Sequence, residues 1–208
     1  MDSIAEFCFS LRKKRNSYTV FNPYRDVFMA ANLETYLRAI KAQGKAPLLL
    51  VGEAPGYLGC IHTGIPFSSA SVLKVSTHPF IDQLRKGLVI KTSTSETTAE
   101  IVWRYLQSVD VVPLFWNAFP FHPHLARKFK TNRGPTKAEI VEGSNYLYQL
   151  AAIFKPLTIA GIGRAGQQCA RLVFPDRDIA YIRHPSRGGK MAFIEGMNRL
   201  LAEKPLGE

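Results

Sequence analysis

Four short apolar runs punctuate the chain, at residues 48–51 (LLLV), 109–116 (VDVVPLFW), 157–160 (LTIA) and 179–182 (IAYI). A continuous aliphatic run of this length suits a strand covered on both faces rather than one with a solvated side. Residues 32–43 place Leu33, Tyr36, Leu37 and Ile40 at helical spacing, with Gly44 beyond the end as a stop. Helices are also expected over 136–154, where Thr136 and Glu139 have capping-box spacing, and over 163–174 and 190–201. Strands alternating with helices predict an α/β fold, a three-layer α/β/α sandwich around a central, mostly parallel sheet of about four strands. Pro113 breaks the second run, so that strand should begin irregularly and straighten toward Asn117.

A chain of 208 residues with 46% hydrophobic content has material for one well-buried domain, expected over 1–208 with an unassigned N-terminal segment at 1–27. The formal net charge of +11 attracts polyanions, which makes nucleic acid the leading partner class, ahead of a membrane surface. Basic residues group at 12–15 (RKKR), at Arg127, Lys128, Lys130 and Arg133, and at Arg183, Arg187 and Lys190. Cys8, Cys60 and Cys169 are too scattered for a disulfide framework or a CxxC metal knuckle, and read as thiols in a reducing compartment. Asp2 and Glu6 stand where a signal peptide has basic residues, and no apolar run reaches membrane-spanning length. A soluble, cytoplasmic, monomeric protein is the expectation.

Open parallel sheets bind ligands where their strands end. Three loops at such ends carry unusual polar residues, at 51–69, 117–123 and 184–190, and are expected to converge on one cleft. Glu53 follows a buried strand between Gly52, Ala54, Pro55 and Gly56; an unpaired carboxylate is costly to bury, so it should face the cleft. Phe67 closes the stiff segment TGIPF and is a candidate stacking platform, with core packing as the commoner fate of a Phe. Asn117 offers a donor and an acceptor in one plane, as reading a nucleobase edge requires, while a turn-making Asn is the plain alternative. His184 sits among Arg183, Arg187 and Lys190, whose charge favours a neutral imidazole.

Other motifs have plainer readings. His62, His78, His122 and His124 form no recognisable ligand pair, so no metal site is expected. The stretch 161–166 (GIGRAG) fits GxGxxG, but no acid follows at the spacing that grips a ribose. A tight turn into a helix explains it better than a dinucleotide-dependent oxidoreductase does.

Taken in order, GEAPG at 52–56, GIPF at 64–67, Asn117 and HPS at 184–186 resemble the motifs of the uracil-DNA glycosylase superfamily, across roughly residues 48–201. The resemblance implies a monofunctional DNA glycosylase of base-excision repair. Such a hydrolase flips uracil or a related deaminated base out of DNA and hydrolyses its N-glycosidic bond, leaving an abasic site, with no metal or organic cofactor. The GEAPG segment is most like the water-positioning loop of the thermostable bacterial and archaeal branch. On this resemblance Glu53 and His184 are catalytic, Glu53 orienting water or stabilising the cationic sugar and His184 stabilising the departing base through its O2. Gly52, Ala54, Phe67 and Asn117 bind the base, Phe67 by stacking and Asn117 by reading its edge. Ser186, Arg187, Gly188 and Lys190 contact DNA.

The sequence also departs from the family pattern. The thermostable branch holds a four-cysteine iron-sulfur cluster that three scattered cysteines cannot ligate, so none is expected here. The most uracil-selective branch has Asp and Tyr where Ala54 and Gly56 stand, the Tyr rejecting the thymine methyl. Arg187-Gly188-Gly189 replaces a duplex-wedging Leu and is more like the single-strand-selective branch. Uracil, hypoxanthine, xanthine and other damaged bases therefore stay open as substrates. A DNA-binding protein that keeps the fold without the chemistry is the alternative function.

Overall fold

In the computed structural model, which describes residues 2–44 and 47–203, the N-terminal segment unassigned from sequence has regular structure. Met1, residues 45–46 and residues 204–208, all within the expected 1–208 domain, lie outside the described residues. Helix α1 (Ser3–Arg12) starts because the Asp2 side chain accepts the N–H groups of Ile4 and Ala5. Strand β1 (Val20–Phe21) and a 3-10 turn at Pro23–Arg25 lead to α2 (Val27–Ala42). Helix α2 begins at Val27 rather than at residue 32, because Asp26 caps it by accepting from Phe28 and Met29.

The chain then runs through β2 (Leu48–Gly52), α3 (Ala70–Val75), α4 (Pro79–Arg85), α5 (Thr97–Leu106), β3 (Leu114–Asn117) and β4 (His122–Pro123). It ends in α6 (Lys137–Phe154), β5 (Thr158–Ile162), α7 (Arg164–Val173), β6 (Ala180–Ile182) and α8 (Lys190–Glu203). The four central strands lie in the order β3-β2-β5-β6, all parallel to their neighbours, while β1 and β4 form a separate antiparallel pair. Every residue of β2 and β5 is buried, as a doubly covered sheet demands. The irregular start at 109–113 is present, and the expected Thr136–Glu139 capping box forms at the head of α6.

Adjacent strand residues point to opposite faces, and β3 shows which helices cover each. The Trp116 ring meets Phe7 of α1 at 5.3 Å, whereas the Phe115 ring faces Trp103 of α5 at 6.2 Å. Tyr105 of α5 meets Phe193 of α8 at 5.9 Å, so these helices share a layer. On the α1 side, α7 presses so close to the sheet that a Cβ on Gly166 would collide with the Val51 carbonyl. One on Gly161 would strike the Gln167 backbone. Two glycines of the GIGRAG stretch are thus explained by helix-on-strand packing. Among the described residues no helix is long and apolar enough to cross a membrane.

From β2 the chain crosses to one side of the sheet, and from β5 to the other. The carboxyl ends of these neighbouring strands therefore form a topological switch point, where a crevice opens.

Candidate active site

Gly52 pairs with Asn117 in register, which brings the loops leaving β2 and β3 together. The Ala118 N–H donates to the Gly52 carbonyl at 2.8 Å and the Phe119 N–H to the Glu53 carbonyl at 3.1 Å. Two side chains finish the pinning of the GEAPG loop. His122 Nδ1 lies 2.8 Å from the Pro55 carbonyl and its Nε2 lies 3.0 Å from that of Phe129. Asn132 Oδ1 accepts the Tyr57 N–H at 3.1 Å. His122 is fully buried, and burial chiefly lowers its pKa. Its hold on the loop is a role that the sequence did not reveal.

This edge of the sheet holds a cleft that Glu53, Ala54, Phe67, Asn117 and His184 all line. It opens into a groove of about 550 Å³ to which Arg133, Arg183, Ser186 and Arg187 contribute. Gly52 is the floor beneath it, because a Cβ there would lie 2.9 Å from Asn117 Oδ1 and would run into the Phe67 ring. Phe67 serves the core and the cleft together. Its ring lies 5.0 Å from that of Phe115, and its carbonyl accepts the Trp103 indole N–H at 3.0 Å. Only 7% of the residue is exposed.

Asn117 is 4% exposed, yet its amide has no hydrogen-bond partner among the described residues. A turn-making Asn bonds a nearby backbone donor or acceptor, and among the described residues the Asn117 side chain bonds none. The residue lines the cleft, so its amide can hydrogen-bond a group placed there. Glu53 is exposed at the rim, with Oε1 beside Gly134.

His184 is oriented by its own loop. Its Nδ1 accepts the Ser186 N–H at 3.2 Å and lies 2.8 Å from Ser186 Oγ. With Nδ1 an acceptor, the ring proton of neutral His184 belongs on Nε2, which has no partner among the described residues. Burial, and then the charges of Arg183 and Arg187, lower the imidazole's pKa and favour that neutral form. Ser186 therefore touches His184 as well as the groove.

The other expected DNA contacts divide. Arg187 is exposed in the groove, whereas Gly188 and Lys190 are exposed beside it and line neither cavity. Arg133 is tied down instead: its guanidinium makes two 2.7 Å bonds to the Glu139 carboxylate and also donates to the carbonyls of His124 and Thr19.

Sequence reasoning missed Glu96 and Thr98, which line the same cleft. The only available signal was a single carboxylate in the hydroxyl-rich stretch 92–98 (TSTSETT). Burial raises the Glu96 pKa to about 7. Cys8, Cys60 and Cys169 are free and buried, and no group of three or more His, Cys, Asp or Glu side chains among the described residues could hold a metal ion.

The switch-point loops of this parallel α/β sheet bring an aromatic ring, an amide without a protein partner among the described residues and an imidazole into one cleft, the place where open sheets of this class bind ligands. The chain belongs to the uracil DNA glycosylase superfamily, whose sequence model matches residues 41–197. Members of this superfamily are DNA glycosylases, hydrolases of DNA repair. In fold the chain is similar to wild-type SMUG2 of Pedobacter heparinus, with a TM-score of 0.63 at 14% identity, over 98% of this chain and 97% of that one. No curated protein sequence matches it significantly.

Proposed function

We propose that the protein excises uracil, or a related deaminated base, from DNA by hydrolysing the N-glycosidic bond and leaves an abasic site. The observation that supports this most directly is the meeting of Phe67, the unpartnered Asn117 amide and the Nε2–H of His184 in one cleft, with Glu53 at its rim. Extruding a base costs a few kcal/mol, and the basic groove around Arg183 and Arg187 offsets part of it through phosphate contacts.

In the reaction the bond from sugar C1′ to the base nitrogen breaks, and its electron pair leaves with the base. A fixed donor aimed at that growing negative charge lowers the barrier because it needs no reorganisation. His184 Nε2–H is that donor, at the base O2. Asn117 pairs with N3–H and O4 and rejects cytosine, whose amino group reverses the pattern. Phe67 holds the ring plane. Water adds its oxygen to C1′ and gives up a proton, with Glu53 orienting it or balancing the positive sugar.

The test is incubation with oligonucleotides carrying one uracil opposite G, opposite A or unpaired, followed by alkaline cleavage of abasic sites. Excision that falls by orders of magnitude in His184→Ala and Asn117→Ala, with DNA affinity kept, is the expected result. Salt-dependent DNA binding without abasic product on any substrate would leave the non-catalytic alternative.

A further inference from the structure

We infer that Glu96 is a specificity-determining residue of the cleft, its carboxyl contacting the edge of the extruded base that faces Gly56. The inference rests on the glycosylase reading above and adds to it a residue outside the motifs that support that reading.

Glu96 comes from the loop before α5, not from a strand end, and still lines the cleft of Phe67, Asn117 and His184. Its carboxyl lies against the loop after β2. A Cβ on Gly56 would stand 3.5 Å from Oε1, and one on Gly59 would stand 2.9 Å from the carboxyl carbon. A side chain at Gly59 would compete for the space the carboxyl fills, whereas at Gly56 a Cβ would only touch it. The Glu96 carboxyl has no hydrogen-bond or ion-pair partner among the described residues, although its neighbours Ser95 and Glu100 bond to each other. A partly buried carboxyl without a protein partner among the described residues costs desolvation, and its presence in a ligand cleft is accounted for when the ligand supplies the partner.

The surroundings bear on its charge. Cys60 faces Glu96 from the loop, Glu53 and His184 share the cleft with it, and Arg133, Arg183 and Arg187 stand farther out in the groove. None forms an ion pair with it. Burial raises its pKa to about 7, so near neutral pH the acid and the carboxylate coexist. The acid can donate to a ring nitrogen or carbonyl, while the carboxylate accepts only. Bases that differ on this edge, such as a purine with a ring nitrogen there and a pyrimidine with carbon, are then distinguished by Glu96.

The experiment compares wild type, Glu96→Gln and Glu96→Leu on oligonucleotides carrying uracil, thymine, hypoxanthine or xanthine, with folding checked by thermal melting. Glu96→Leu should change the ratio of kcat/KM between at least two bases by roughly tenfold or more. Glu96→Gln should remove an ionisation near neutrality from the pH profile of kcat/KM. Folded variants with wild-type ratios and a wild-type pH profile would overturn the inference. A wild type inert on every oligonucleotide would instead defeat the glycosylase reading. Calorimetric binding of the free bases would then decide the role of Glu96: about a tenfold affinity difference between wild type and Glu96→Gln supports it, and equal affinities refute it.

Discussion

The Phe67 ring lies directly against the backbone of Gly52, so that a Cβ at residue 52 would reach within 2.6 Å of ring carbon Cε2. The same Cβ would crowd the Asn117 amide oxygen, which makes the absence of a side chain at 52 a condition for both groups to sit where they do. Gly52→Ala must therefore push the ring, the amide or the strand end aside. Overpacking of this kind costs roughly 1–3 kcal/mol, or about 2–12 °C in Tm for a domain of this size. Because the displaced groups are those proposed to hold the base, excision of uracil should fall by about tenfold or more beyond any effect of unfolding. Thermal melting and single-turnover excision on the same preparation separate the two. Unchanged excision would mean that Phe67 does not need its observed place.

Ser186 is expected to matter through His184. Its Oγ lies 2.8 Å from Nδ1, on the side of the ring away from the free Nε2. Ser186→Ala keeps the backbone N–H on Nδ1 and hence the neutral tautomer, but loosens the ring. A drop in kcat of roughly tenfold with KM little changed is expected. The pH dependence gives a sharper check. The His184 pKa is lowered by burial and by Arg183 and Arg187, so the acid limb of activity should lie below the ordinary histidine range. Removing one charge in Arg187→Gln should move that limb upward. A limb that stays fixed would show that the neutral imidazole is not the active form.

The residues legible in the sequence are those whose environment leaves little choice. A strand covered on both faces must be apolar throughout, so the β2 run could be read directly, and its register carries Gly52 and Asn117 to the same edge. Helices α3 and α4, of six and seven residues, are too short for a helical period to stand out, and caps at Ser69 and His78 delimit them instead. Helix α5 was missed although its buried face carries Val102, Trp103 and Leu106. The candidate site divides on the same principle. Groups on strand ends follow from the sheet, whereas Glu96 and His122 reach the site through tertiary packing, for which local pattern has no signature.

Arg133 and Arg187 both border the groove, yet they should fail in opposite ways. Arg133 makes a two-pronged pair with Glu139 and also bonds the carbonyls of His124 and Thr19. That geometry, partly buried, exceeds an ordinary surface pair, and Arg133→Gln should cost about 1–3 kcal/mol in stability. The exposed Arg187 has no such ties among the described residues, so Arg187→Gln should leave Tm within about a degree or two and weaken DNA binding. The slope of log affinity against log salt should shrink by about one for Arg187→Gln and stay unchanged for Arg133→Gln. The reverse pattern would assign the phosphate contact to Arg133.

The cost of keeping Glu96 in the cleft is measurable in the free protein. Burial raises its pKa from 4.5 to about 7, so between these values the folded chain keeps a proton that the unfolded chain has released. Stability associated with Glu96 is thus fully present below about pH 4.5 and is lost as pH rises through about 7. Glu96→Gln cannot ionise and escapes the loss. Urea midpoints of the two proteins should coincide at low pH and separate as pH rises, the variant becoming more stable by up to about 3 kcal/mol above neutrality. Water entering the cleft reduces that gap. A variant that is more stable but has lost base discrimination would mark Glu96 as a group kept for its ligand. Equal midpoints at alkaline pH would show instead that the carboxylate is already hydrated, and that a base must displace water to reach it.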